Sequence, residues 1–306
     1  MKIAMVGLGA MGAAAAANLV AKGHEVRGVD LRQAALDALR AAGGKPAQSI
    51  ADAVADADAV VTFVVNAAQV EAVTSGPEGI LARMAPAAVL IQCATVSAAF
   101  MARLGEQFAA AGRLLLDAPV SGGVSGAAGG GLTIMASGPR EALAKAGPVL
   151  ADMGRHVHDF GDRLGAGSMV KTINQLFCGV HLAVLGEAIA LGRQAGLDPA
   201  RLLEVYGNSA AASWMMKDRG PRALQDDPPS NSTIDIFVKD LALVLDSGRD
   251  LKFPLPLAAA AHQMFLAGSA IGKGSVDDSH LWEAYPRPSA KPATQPATQP
   301  APKPAS

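Results

Sequence analysis

Four stretches of this chain have the residue types and spacing that chemistry needs. The first is MKIAMVGLGAMG at residues 1–12, in which Gly7, Gly9 and Gly12 form a GxGxxG turn between an apolar run and the alanine-rich stretch 13–21. Strand, glycine turn and helix in that order make a dinucleotide phosphate site. Gly7 permits the tight turn, Gly9 removes a side chain that would block a pyrophosphate, and Gly12 lets helix and strand pack closely. The helix then offers free amides and its positive dipole end to the phosphates. Gly7, Leu8, Gly9, Ala10, Met11 and Gly12 are therefore the expected cradle. Asp30 closes the next strand. Its carboxylate can accept hydrogen bonds from the adenosine ribose hydroxyls and would repel a 2′-phosphate, so NAD is expected rather than NADP. Arg27 and Arg32 lie close enough in sequence to keep the opposite preference open. Val65 and Asn66 are further cofactor candidates.

The second stretch is DAPVSGG, residues 117–123, where a strand ending at Pro119 delivers Ser121, Gly122 and Gly123 into a loop at the carboxyl edge of the sheet. Glycine amides and a serine hydroxyl there can hold a carboxylate, and a flexible connector is the plain alternative. In the third, Lys171, Asn174, Gln175 and Cys178 recur at spacings of three and four, on one face of a helix. A lysine shielded in a cleft has a lowered pKa and can act as a general base, and Asn174 could then bond a substrate hydroxyl or carboxylate. A solvent-facing lysine is the ordinary alternative. His181 follows on the same face and reads as an interior or interface residue. The fourth is FVKDL, residues 237–241, where Lys239 and Asp240 interrupt an amphipathic helix; an exposed pair is the commoner reading, and position in the second half makes cleft residues the alternative.

The elements that must position these groups follow from periodicity. Continuous apolar runs at 57–65 and 87–93, with shorter ones at 114–117 and 132–136, are expected strands covered on both faces. Helical segments at 98–111 and 140–153 alternate with them, which makes a doubly wound sheet of the α/β class. From 166 to 195 there is no strand signal, only helix formers, as for a helix crossing from one domain to the next. Helical patterns resume at 199–208, 234–249 and 255–267. Three units are expected: a cofactor-binding α/β domain over 1–165, an all-α substrate and oligomerisation domain over 166–285, and a disordered proline-rich tail over 286–306.

Composition narrows the function classes. The chain has 306 residues, 50% of them hydrophobic, enough for sizeable cores. A net charge of -1 offers no electrostatic case for binding nucleic acid or an anionic membrane. Cys93 and Cys178 cannot build a disulfide framework and belong to no metal-binding pattern. No secretory leader and no uninterrupted apolar span of about 18 residues is read, so a reducing, cytoplasmic setting is expected. An apolar second half with a long helix leads to the expectation of a homodimer or homotetramer.

In this order, GLGAMG, DAPVSGG, KTINQ and FVKDL resemble the β-hydroxyacid dehydrogenase family over nearly the whole chain, to about Tyr285. The resemblance implies a Rossmann sheet followed by an all-α domain, with hydride transfer between NAD and a short hydroxy acid. It assigns substrate carboxylate binding to Ser121, Gly122 and Gly123, catalysis to Lys171, substrate orientation to Asn174, and a place beside nicotinamide and substrate to Lys239. It also puts Thr95 on the cofactor, although QCATV departs from the pattern of relatives, which carry serine before that threonine. Longer segments, among them SAAASWMMKDR and GKGSVDDS, are similar to a branch acting on four-carbon sugar acids. That implies oxidation of L-threonate at C2 to 2-dehydro-L-erythronate, with Asn208, Ser209, Ser213 or Lys217 as candidate partners for the extra hydroxyls. Other hydroxy acids such as 3-hydroxyisobutyrate, reduction of tartronate semialdehyde, and an NAD sensor without turnover stay open. Imine reduction on the same fold is disfavoured, because such relatives usually replace the lysine.

Overall fold

The structure is a computed structural model that describes residues 1–286; the expected tail, apart from Pro286, lies outside them. The first part alternates strand and helix: β1 (Lys2–Val6), α1 (Ala10–Ala21), β2 (Glu25–Val29), α2 (Gln33–Ala41), β3 (Lys45–Pro46), α3 (Ile50–Val54), β4 (Ala59–Thr62), α4 (Ala67–Thr74), α5 (Ile80–Arg83), β5 (Val89–Gln92), α6 (Ala98–Ala110) and β6 (Leu114–Asp117). All neighbouring pairs are parallel and the order is β3-β2-β1-β4-β5-β6. Chain direction across the sheet reverses between β1 and β4, which opens a crevice at their carboxyl ends. This is a Rossmann-type sheet.

Its strands are apolar on both faces because helices cover both. Side chains alternate across a strand. On β1, Ile3 and Met5 join a core with Leu19, Val149 and Leu150, while Ala4 and Val6 join the opposite core with Met101, Leu104 and Phe108. The run 57–65 is strand only over Ala59–Thr62. Beyond Thr62 the chain leaves the ladder, and Phe63, Val64 and Val65 line the crevice instead.

The next elements are β7 (Val120–Ser121), α7 (Gly123–Ala128), β8 (Leu132–Ala136), α8 (Arg140–Met153) and β9 (Gly154–Asp159). Here the expectation needs correcting. The run 132–136 does not extend the large sheet but forms a second one, ordered β7-β8-β9, antiparallel at β7-β8 and parallel at β8-β9. β9 carried no apolar signal, since only its first residue is buried and the rest, RHVHD, face outward.

Helices alone follow: α9 (Ala166–Gln194), α10 (Pro199–Gly207), α11 (Trp214–Ala223), α12 (Ile234–Asp250) and α13 (Pro256–Gly268), then a π turn at Ser269–Lys273 and a 3-10 turn at Asp278–Ala284. α11 is not among the expected helices, and Gly220 and Pro221 within WMMKDRGPRA disfavour one. It forms nonetheless, capped by Ser213, whose Oγ accepts from the Met216 amide at 3.1 Å, with its proline placed near the carboxyl end.

α9 joins the two parts. Its 29 residues span about 43 Å at 1.5 Å per residue. By length and composition it could cross a membrane, yet Leu182, Leu185 and Ile189 are buried against the other helices. Its start is clamped to the sheet by Asp117, at the end of β6. That buried carboxylate accepts from the Gly165 and Ser168 amides at 3.1 and 2.8 Å, from Ser168 Oγ at 2.7 Å and from Ser137 Oγ at 3.2 Å. Burial pushes its pKa up to about 6 against those hydrogen bonds. Gly167 makes the close approach feasible, because a Cβ there would lie 2.2 Å from the Met135 carbonyl oxygen. The clamp sits three residues ahead of Lys171, so the lysine is carried on the part of α9 held firmly to the sheet.

Candidate active site

A cleft of about 1000 Å³ runs from the crevice at the sheet edge to the helical part. Gly9, Ala10, Met11, Val65 and Thr95 line one end. Ser121, Gly122 and Gly123 also line it, as do Lys171, Asn174, Gln175, Cys178 and His181 of α9 and Lys239 and Asp240 of α12. Residues separated by more than a hundred positions in sequence thus meet around one space.

The glycine turn fits a dinucleotide. At Gly7, with φ +92°, a Cβ would strike the Phe63 carbonyl oxygen at 2.7 Å, and at Gly12 it would strike the Gly7 carbonyl oxygen at 2.1 Å. Both are required by the protein's own packing. At Gly9 a Cβ would meet nothing within 4 Å. Packing does not require glycine there, whereas a ligand approaching the backbone does. Gly9 is also the N-cap of α1 and supplies no capping side chain, so the helix end faces the cleft uncapped. Such an end favours phosphate. NAD would be held by this turn and α1, with Thr95 and Val65 farther along.

Leu8 turns its side chain into the core and donates its amide to Asp30 Oδ2 at 2.8 Å. Asp30 follows β2 at the carboxyl edge. Arg32 reaches back to it, Nε to Oδ1 at 3.0 Å and Nη2 to Oδ2 at 3.2 Å, and also donates to the Leu8 carbonyl at 3.0 Å. Burial opposes ionisation of Asp30, but the hydrogen bonds from Arg32 and Leu8 outweigh it and hold the carboxyl below its usual range. Arg27 is engaged elsewhere, with Asp56 at 3.1 Å. Asn66 does not line the cleft; its side chain caps α4 by accepting from the Gln69 amide at 2.9 Å.

Ser121 ends β7, and the two glycines after it take φ values of +131° and +64°, which L side chains adopt only with strain. The reversal turns this segment along the cleft wall.

Lys171 is 8% exposed. Burial lowers its pKa, the nearby Asp240 carboxylate opposes that, and the Lys239 cation adds to the lowering. Asp240 is itself buried and held from two sides. Gln175 Nε2 donates to its Oδ2 at 2.5 Å, and Lys239 Nζ donates to its Oδ1 at 2.5 Å. Lys239 Nζ also lies 3.4 Å from the Thr95 carbonyl oxygen, which ties α12 to the loop after β5. Asn174 Nδ2 donates to Gln175 Oε1 at 2.9 Å and to Cys178 Sγ at 3.4 Å. A shielded amine with a depressed pKa, beside an orienting amide, can take a proton from a hydroxyl near neutral pH.

Of the four residues considered for extra hydroxyls, Ser213 alone lines the cleft, and its hydroxyl already caps α11. Asn208 donates to the Glu204 carbonyl and Ser209 to that of Tyr206. The far end is built instead by Asp218, Arg219 and Arg222 of α11 with Asn231 and Ser232. Their charges in KDRGPR are visible in sequence, but nothing in sequence distinguishes them from a solvated helix face.

Residues 2–161 match the family model described as the NAD binding domain of 6-phosphogluconate dehydrogenase. Residues 165–285 match the one described as NAD-binding of NADP-dependent 3-hydroxyisobutyrate dehydrogenase. An L-threonate dehydrogenase of Cupriavidus necator is 48% identical over 284 residues, covering 93% of this chain and 96% of the relative. A 3-hydroxyisobutyrate dehydrogenase of Pseudomonas aeruginosa is 38% identical, covering 86% of this chain and 90% of the relative. The crystal structure of a 3-hydroxyisobutyrate dehydrogenase from Salmonella typhimurium superposes with a TM-score of 0.88 at 39% identity, covering 92% of this chain and 99% of that one.

Proposed function

Since the chain belongs to the β-hydroxyacid dehydrogenase family and is an NAD-dependent hydroxyacid dehydrogenase, we propose that its substrate is a four-carbon sugar acid, L-threonate, oxidised at C2 to 2-dehydro-L-erythronate. The observation that supports the mechanism is the shielded amine of Lys171 in the same cleft that the Ser121–Gly123 segment lines. Bound NAD supplies the acceptor for the hydride that leaves C2. Ser121, Gly122 and Gly123 hold the substrate carboxylate. Asn174 orients the C2 hydroxyl, and Lys171 Nζ takes its proton as the C2–O bond becomes a carbonyl, so a full alkoxide need not form. Lys239, bonded to both Asp240 and the Thr95 carbonyl, keeps the cofactor and substrate ends of the cleft in register.

The test is a panel of L-threonate, D-erythronate, 3-hydroxyisobutyrate and glycerate, each with NAD and with NADP, followed by absorbance of the reduced nicotinamide. The highest kcat/KM is expected for L-threonate with NAD. A higher value for 3-hydroxyisobutyrate would move the substrate assignment, and preference for NADP would overturn the role given to Asp30.

A pH prediction follows from the same geometry. Oxidation needs Lys171 neutral. Asp240→Asn removes the carboxylate that favours the ammonium form, so the Lys171 pKa falls further and the acid limb of the kcat/KM profile for oxidation moves to lower pH. For the reverse reduction, which needs the ammonium, the alkaline limb moves to lower pH as well. An unmoved profile in a variant with native circular dichroism would separate Asp240 from the titrating group.

A homodimer built through α9 completes the reading. Ile173, Phe177, Val184 and Leu191 are each more than half exposed and recur at helical spacing. Such a stripe suits a two-fold contact. Sedimentation at the 30.9 kDa monomer mass would contradict it.

A further inference from the structure

We infer that the end of the cleft formed by Asp218, Arg219 and Arg222 of α11, with Asn231 and Ser232, is a subsite for the uncharged polyol tail of the substrate and rejects a second anionic group. The inference rests on the hydroxy acid oxidation proposed above and adds a rule for which acids are admitted.

The placement is set by α9. Cys178 lies seven residues beyond Lys171 on the cleft-lining face, about 10 Å along the helix. Cys178, Lys171 and Arg219 all line the cleft, and burial pushes the Cys178 thiol up while both cations pull it down. A substrate whose carboxylate sits on the Ser121 segment and whose C2 hydroxyl meets Lys171 directs its remaining carbons along this wall.

The charge balance of the wall decides what it accepts. Arg219 Nε donates to Asp278 Oδ1 at 2.8 Å, Nη2 donates to Asp278 Oδ2 at 3.3 Å, and Nη1 pairs with Asp218. Arg222 pairs with Asp277 and, at 3.4 Å, with Asp218. Asp277 and Asp278 are 1% and 0% exposed and lie behind the wall, whereas the Asp218 side chain is 30% exposed and faces the cleft. Three carboxylates therefore surround two guanidiniums. Arg222 Nε is a buried donor without a partner, but each guanidinium is paired with carboxylates and the cluster as a whole holds one carboxylate more than guanidiniums, so a second carboxylate or a phosphate would add to an excess of negative charge. Hydroxyls meet the reverse situation: Asp218 can accept from them, and Asn231 and Ser232 can both donate and accept. The carboxylate end and the tail end of the substrate thus see walls of opposite preference.

The experiment compares L-threonate with tartrate, which has the same carbon skeleton with C4 oxidised to a second carboxylate. In the wild-type protein with NAD, kcat/KM is expected to favour L-threonate by about 100-fold, as like-charge juxtaposition in a cleft implies. Asp218→Asn removes one negative charge while keeping an acceptor oxygen, and should narrow that ratio about tenfold, in part by improving tartrate. The gain with tartrate is a readout that damaged folding cannot produce. Equal use of the two acids by the wild-type protein would overturn the inference and leave the oxidation itself standing. An unchanged ratio in a turning-over Asp218→Asn would overturn the role of the α11 wall. Binding of the two acids to the NADH-loaded protein, read as a shift in Tm, keeps the cases apart. Discrimination in binding without turnover of any acid supports the subsite while overturning the proposed reaction, and equal binding overturns the subsite.

Discussion

Lys171→Met should lower kcat for hydroxy acid oxidation by about 10²–10⁴-fold, the range that a positioned general base contributes, while NAD affinity stays within about twofold of the native value. The two halves of that result have separate causes. The amine stands on α9, on the wall that would face the reacting hydroxyl, and the nucleotide end of the cleft is built by α1 and the loops after β1, β4 and β5. Methionine conserves the volume of the aliphatic stem, so Asn174 and Gln175 keep their packing and the loss reports the missing base. Stopped-flow hydride transfer checks the chemical step directly, and equilibrium titration of NAD checks the other half. Turnover near the native rate would remove Lys171 from the mechanism. A parallel loss of NAD binding would point to a structural role for the stem.

The second large effect separates two glycines of one turn. Gly9→Val should leave the apo protein close to its native Tm and weaken NAD binding by roughly 100-fold, about 2.7 kcal/mol. Its side chain projects into space that the protein leaves open and that a pyrophosphate would fill. Gly12→Ala should behave oppositely. Its Cβ would lie 2.1 Å from the Gly7 carbonyl oxygen, so the turn must shift before any ligand arrives, with a cost of about 1–3 kcal/mol or more in apo stability. Thermal unfolding of both apo variants, with NAD titration of each, reads the contrast. If Gly9→Val destabilised the apo protein as much as Gly12→Ala, the assignment of Gly9 to the ligand would fall.

Much of this architecture was legible because its signals are local. The turn 7–12 and the buried runs of β1, β4 and β5 each announce themselves within a short window. So does α9, whose face carries Lys171, Asn174, Gln175 and Cys178 at helical spacing. The second sheet was not legible. β8 has the same apolar run as a strand of the main sheet, and β9 buries only its first residue, so nothing local reveals which sheet either joins. α11 was hidden by Gly220 and Pro221, whose breaking tendency is overridden by a serine cap and by packing against α9 and the terminal 3-10 turn. Asn66, a cofactor candidate in the sequence, has its side-chain oxygen engaged in capping α4, a contact that follows only from the folded turn.

The sequence by itself determined the cofactor chemistry and the identity of the candidate base. A glycine turn between strand and helix, and a lysine at helical spacing from an asparagine, depend only on backbone geometry within a few residues. Tertiary structure alone decided what surrounds them. The clamp of Asp117 on the start of α9, the hold of Gln175 on Asp240, and the ion pairs joining Arg219 to Asp278 and Arg222 to Asp277 each link residues some 50 to 65 positions apart. Charge and hydrogen bonding act through space over a few ångströms, so the shielding of Lys171 and the polarity of the cleft's far end exist only once the chain has folded.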